Sequence, residues 1–155
     1  MDEHDLIEFI RQQGIEAELV LLETKTPTVA AAADAVGVAP DQIGKSILFL
    51  ADSQPVLVVA NGATRLGYKP LADYLGISRR RLKLANASQV LLTTGYPVGT
   101  VPPFGHKNRI RTILEAQVMT EEELFTGGGS IQALLRIKVK ELARVTTTEI
   151  ASLQA

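Results

Sequence analysis

Two apolar runs, SILFLA at 46–51 and PVLVVA at 55–60, stand only three residues apart in this chain. Their length and lack of polar interruptions predict a β-hairpin joined at DSQ, with strands too apolar to be exposed on both faces. Other elements have to cover that hairpin, and the flanking sequence supplies them. DEHDLIEFIRQQG spaces Leu6, Ile7, Phe9 and Ile10 as one helical face and stops at Gly14. IEAELVLLE alternates as a strand, and TVAAAADAVG predicts a helix capped by Thr28 and stopped by Gly37. KPLADYLG reads as a short helix with Pro70 in its first turn, RLKLAN as a strand, ASQVLLTTG as a helix and RIRTILEA as a strand. TEEE at 120–123 fits a helix start with Thr120 and Glu123 as a capping box. IQALLRIKV is a strand, KELARV is helical, and the remaining residues read as a weakly ordered tail. The expected class is therefore α/β, a single domain over 1–155 with a mixed sheet.

At 155 residues, the chain can bury roughly 70% of the surface its unfolded form exposes, enough for a core without disulfide or metal support. It has no cysteine, which removes thiolate nucleophiles and cysteine-ligated zinc. The acidic start MDEHDLIEFI does not read as a signal peptide, and no apolar run is long enough to span a bilayer, so the expectation is a cytoplasmic protein. A net charge of −1 conceals a division. Residues 1–44 carry −7, residues 45–111 carry +8 and residues 112–155 carry −2. The basic middle is either a solvated face or a surface for phosphate.

Several chemistries are excluded. There is no G-x-S-x-G elbow, and two histidines supply a Ser-His-Asp arrangement poorly. His4 and Glu8 share a helix face but read as a solvated pair, so no metal site is expected. GATRLGYK opens like a phosphate loop, yet Tyr68 stands where its lysine belongs. Three features remain. Lys45 follows Gly44 at the mouth of the first apolar strand, either as a surface charge or as a cation at a pocket edge. TGGGSIQALL, 126–135, is either a hairpin turn or a place of close backbone approach whose N–H groups could meet an anion. GYPVGTVPPFG, 95–105, spends six of eleven positions on glycine and proline and runs into HKNRIR, whose His106, Lys107, Arg109 and Arg111 could contact phosphates. Arg79, Arg80, Arg81 and Lys83 form a second basic cluster.

Taken in order, AAAADAVGVAPDQIGKSILF, NGATRLGYKPLADYLG, TGYPVGTVPPFGHK and TGGGSIQALLRI resemble the YbaK-type aminoacyl-tRNA deacylases, relatives of the editing insertion of bacterial prolyl-tRNA synthetases. The likeness spans about residues 5–150. It implies an α/β domain with a central mixed, barrel-like sheet, and hydrolysis of the ester joining a wrong amino acid to the terminal ribose of a tRNA. It gives Lys45 the role of holding the terminal adenosine-phosphate end. Gly127, Gly128 and Gly129 would lie beside the aminoacyl group, and Gly95, Gly99, Pro103 and Gly105 would form a loop near the pocket. Thr28, Ser46 and Arg65 occupy positions that often line the site. Where some members carry a histidine beyond the glycines, this chain reads SIQALL. Any specificity that needs that histidine is expected to be absent.

An aminoacyl ester is already activated, so its hydrolysis needs positioning, a water and oxyanion donors more than a strong nucleophile. Backbone N–H groups of 127–130, including Ser130, are the expected donors, without a cofactor. The expected partner is the acceptor end of an aminoacylated tRNA, most simply a mischarged proline tRNA, with a synthetase as a possible associate. The alternatives are a non-catalytic module that binds the aminoacyl or nucleotide end, and a small-molecule esterase.

Overall fold

The structure, a computed structural model, describes every residue except Thr147 and Thr148. The apolar hairpin is its centre: β2 (Gly44–Ala51) and β3 (Gln54–Asn61) pair antiparallel through eight positions. Asp52 and Ser53 make the turn, both at positive φ, as the type I′ form of a two-residue hairpin turn requires. From Val56 to Asn61 every residue of β3 is buried. Alternation sends Leu48 into one core cluster, with Leu57 and Val59, and Phe49 into another, with Val56 and Val58.

Five strands form the larger sheet in the order β4-β2-β3-β5-β8. β4 (Leu82–Leu84) pairs antiparallel with β2, while β5 (Arg111–Glu115) runs parallel to β3 and β8 (Ile150–Ala151) parallel to β5. A second, antiparallel sheet has the order β1-β7-β6: β1 (Ala17–Leu21), β7 (Ala133–Lys138) and β6 (Glu123–Gly127). Among the described residues, a bridge from Ile43 to Phe125 and the packing of Gly44 against Leu124 and Thr126 join the two sheets, so the mixed α/β architecture is present as two joined sheets rather than a closed barrel.

Among the described residues, five α-helices cover them. These are α1 (Glu3–Gln13), α2 (Val29–Val36), α3 (Tyr68–Leu75), α4 (Ala87–Thr94) and α5 (Val139–Val145). Gly14 and Gly37 end α1 and α2 in the left-handed conformation, as their positions predict.

Two expectations fail. Residues 120–123 do not start a helix: a 3₁₀ segment (Ala116–Thr120) ends there and β6 begins at Glu123. The pairing of Glu123 with Lys138 in the sheet outweighs the local capping pattern. Nor is the end of the chain weakly ordered among the described residues. Ile150 and Ala151 extend the sheet, Leu153 is fully buried, and its carbonyl accepts the Gly67 N–H at 2.8 Å. Thr147 and Thr148, part of that expected tail, lie outside the described residues.

Candidate active site

At the start of β2, a cleft of about 140 Å³ opens between the first turn of α2, the end of β6 and the glycine-proline loop. Thr28, Lys45, Ser46, Gly99 and Gly127 all line it, bringing together residues from four distant parts of the sequence. Thr28 caps α2 by accepting the Ala31 N–H at 3.1 Å. The N–H groups of Val29 and Ala30, in the same first turn, precede any possible intrahelical acceptor and give this side of the cleft a positive dipole end. Gly62 permits the approach, since a Cβ there would lie 2.4 Å from Val29 Cγ1 and 2.6 Å from the Pro40 carbonyl.

Lys45 is half-buried, and burial pushes its pKa below the ordinary lysine value. Its ammonium has no acidic partner among the described residues and donates to the Thr64 carbonyl at 2.7 Å. That carbonyl is held in place by Asn61, whose Oδ1 accepts the N–H of Ala63, the N–H of Thr64 and the Thr64 hydroxyl. Asn61 thus positions the partner of Lys45, a role that NGAT carries in the sequence but that only the fold reveals. Arg65 is next in the chain, and its carbonyl accepts the Ala155 N–H rather than facing the cleft.

Beside Lys45, the Ser46 hydroxyl is buried and has no hydrogen-bond partner among the described residues. Ser46, Gly99 and Val101 also border a second, mainly apolar hollow of about 230 Å³, walled by Leu48, Leu57 and Val90. The polar cleft and the apolar hollow therefore share one wall.

The glycine triplet is divided by the fold. A Cβ on Gly127 would meet the Val101 carbonyl oxygen at 2.2 Å, so this glycine presses β6 against the glycine-proline loop. Gly128 lies against Ala133, and Gly129, at φ 94°, against the start of α1. The Gly129 N–H donates to the Thr100 carbonyl at 2.9 Å, which withdraws it from the donors that could meet an oxyanion. Gly128, Gly129 and Ser130 lie behind the cleft in the β6–β7 connection, so the close backbone approach is present but its partner is the protein's own chain.

The loop from 95 to 105 is a wall along part of its length. Gly99 and Val101 face the cleft, whereas the Gly95 carbonyl accepts the N-terminal amine at 3.0 Å and Gly105 packs under the Phe9 ring. Phe104 stacks on the same ring, and Pro103 and Gly105 border a different hollow. Thr26 and Pro27, which sequence reasoning passed over, also line the cleft; Thr26 is tied by its N–H and hydroxyl to the Ile131 carbonyl.

The profile of one protein family, the aminoacyl-tRNA editing domain, matches residues 23–145. An uncharacterized protein of Bacillus subtilis, YwhH, is 28% identical over 140 residues, 90% of this chain and 87% of that protein. A proline–tRNA ligase of a Thermoanaerobacter species is 29% identical over 121 residues, 76% of this chain but 21% of the ligase. Among solved structures, hypothetical protein APE2540 superposes with a TM-score of 0.90 at 30% identity, covering 97% of this chain and 99% of that one. A candidate trans-editing enzyme for prolyl tRNA synthetase superposes with a TM-score of 0.91 at 28% identity, covering 99% and 96%.

Proposed function

The chain belongs to the aminoacyl-tRNA editing domain family, and from that premise we propose that it is a trans-acting deacylase that hydrolyses the ester of a mischarged tRNA. The observation that carries this reading is Lys45, a half-buried cation without an acidic partner among the described residues, at the rim of a cleft lined by an α2 helix start. A phosphate-linked 3′ terminus fits such a rim, because an ammonium and two helix-start N–H groups both favour negative charge.

The terminal ribose enters beside Lys45, and the ester carbonyl lies near Gly127 and the first turn of α2. The amino-acid side chain extends past Ser46 toward the apolar hollow, where the unpaired hydroxyl accepts or donates a hydrogen bond. A water adds to the ester carbon, and backbone N–H groups stabilise the charge on the carbonyl oxygen. The bond from carbon to ribose oxygen then breaks. The proton lost by the water ends on that oxygen, relayed by the neighbouring ribose hydroxyl. The products are free amino acid and uncharged tRNA. Gly129 is not among the donors in this scheme, since Thr100 engages its N–H. Likeness to proline–tRNA ligases and to a candidate prolyl trans-editing enzyme supports a mischarged proline tRNA as substrate. On this reading residues 1–155 act as one editing domain in the cytoplasm, where charged tRNA is used. The motive for such an activity is physical: a synthetase pocket discriminates one methylene by only about 1–3 kcal/mol.

The test is a panel of mischarged tRNAs incubated with the wild type and with Lys45→Ala. Release of amino acid from at least one of them, reduced on the order of 100-fold in the variant, is expected. Failure to deacylate any member removes the proposal. Tight binding of a charged 3′ end without turnover would replace it with a non-catalytic binding module.

A further inference from the structure

The sheet topology divides the basic middle of the chain into two places. Lys45 is at the start of β2, with the cleft. β3, β4 and β5 all run opposite to β2, so their first residues lie at the other end of the sheet, around the Asp52–Ser53 turn. The cationic segments immediately precede or open β4 and β5. A 3₁₀ turn (Arg79–Arg81) leads into Leu82, which pairs with Ala51, and the Arg81 carbonyl accepts the Asp52 N–H at 3.0 Å. Arg109 and Arg111 lead into β5, where Arg111 pairs with Val56. Arg109 and Arg111 border a shallow hollow with Gln54, Pro55 and Ile77 on one side of the hairpin turn, and Arg81 and Lys83 border another on the other side.

The acids within reach are already engaged. Asp52 pairs with Arg81, and Glu149 with Arg111 and the Tyr74 hydroxyl. Arg79, Arg80, Lys83 and Arg109 have no acidic partner among the described residues, and all four are exposed. Arg79 is additionally steadied 4.0 Å above the Tyr68 ring, and donates to the Leu82 carbonyl. Four cations without an acidic partner among the described residues, at one end of a sheet, are a surface for a polyanion. Six residues of β2 separate this end from Lys45, roughly 20 Å at about 3.3 Å per residue. A single terminal nucleotide in the cleft does not extend that far, whereas the chain of phosphates behind it does.

Resting on the reading that the substrate is an aminoacylated tRNA, we propose that the sheet end formed by Arg79, Arg80, Lys83 and Arg109 is a second RNA-binding surface, which grips backbone phosphates upstream of the 3′ terminus held at Lys45. The two surfaces separate two tasks. The cleft sets the chemistry of the ester, and the basic end supplies sequence-independent affinity that is sensitive to salt.

The experiment compares the wild type with an Arg80→Ala, Lys83→Ala, Arg109→Ala variant. It measures binding of uncharged tRNA from about 50 to 200 mM salt, deacylation of mischarged tRNA, and hydrolysis of a 3′-aminoacyl adenosine that has no upstream phosphate. A control with Arg80→Lys and Arg109→Lys retains the charge. The triple variant is expected to bind tRNA at least about tenfold more weakly, with its log–log salt slope flattened by about 2 to 3, near one unit for each phosphate no longer neutralised. KM for aminoacyl-tRNA rises in parallel, kcat and hydrolysis of the aminoacyl adenosine change less than about twofold, and the lysine control keeps the wild-type slope. Unchanged tRNA affinity and slope would overturn the proposal, as would an equal loss on the aminoacyl adenosine. The two readings fail separately. A wild type that deacylates nothing but loses tRNA affinity in the triple variant removes the enzymatic reading and keeps the surface. A wild type that deacylates, with a variant that binds tRNA normally, does the reverse.

Discussion

At the scale of single residues, Lys45 and Gly127 oppose each other in what they do for the fold. Lys45 carries a charge that burial disfavours, and one carbonyl of a loop offsets part of that cost. Lys45→Met keeps the stem and removes the charge. It is therefore expected to leave the urea midpoint unchanged or raise it, while deacylation falls on the order of 100-fold. A clear loss of stability in that variant would mean that Lys45 serves the fold instead. Gly127 has the opposite profile. A methyl group there would overlap the Val101 carbonyl, a backbone atom that cannot step aside. Gly127→Ala is expected to cost about 1–3 kcal/mol in urea unfolding, and to weaken turnover further by pushing the loop away from β6. Both residues were legible in the sequence as candidates. Their reasons were not, because a lysine's desolvation and a glycine's clash depend on atoms more than a dozen residues away.

Among the elements, α2 ties local and long-range structure together. Its cap, Thr28, was readable from a threonine set just before an alanine-rich helical run that Gly37 stops, but the position of its first turn against the cleft depends on Gly62 and on the strand carrying Lys45. Thr28→Ala removes the cap acceptor, so thermal unfolding should report a loss of about 1 kcal/mol. If the helix start also holds the substrate, KM should rise more than kcat falls. A stability loss with unaltered KM would restrict Thr28 to capping. The misread element is equally instructive. T-E-E-E satisfies the local rule for a helix start, yet Glu123 begins β6 because its strand partner Lys138 and the buried Leu124 and Phe125 offer more than a cap. The glycine triplet shows the same override: its turn joins β6 to β7, but its glycines are spent on fitting the chain against itself.

Across the whole molecule, charge and pH dependence follow from what the assembled fold buries. His106 lies behind the loop, its Nε2 2.7 Å from the Pro102 carbonyl. Burial holds its pKa below the ordinary 6.5, although the nearby carbonyl favours the cation. Below about pH 6.5 the unfolded chain takes up a proton that the folded protein refuses, so stability falls as pH drops through that value toward the lower folded pKa. Urea titrations between about pH 7 and 5 should show this loss, and His106→Gln should reduce it. An identical pH profile in the variant would assign the loss to other groups.

The sequence by itself determined the hairpin, the helix stops at Gly14 and Gly37, the absence of thiol chemistry and the family resemblance. Each of these depends on neighbours within a few residues, or on the order of motifs along the chain. Tertiary structure alone decided that Thr28, Lys45, Ser46, Gly99 and Gly127 share a cleft while Gly95, Pro103 and Gly105 lie apart from it. It also divided the basic middle between the two ends of one sheet. Strand direction is the reason. The sequence specifies which segments pair well, but antiparallel or parallel pairing sets which residues meet across the molecule.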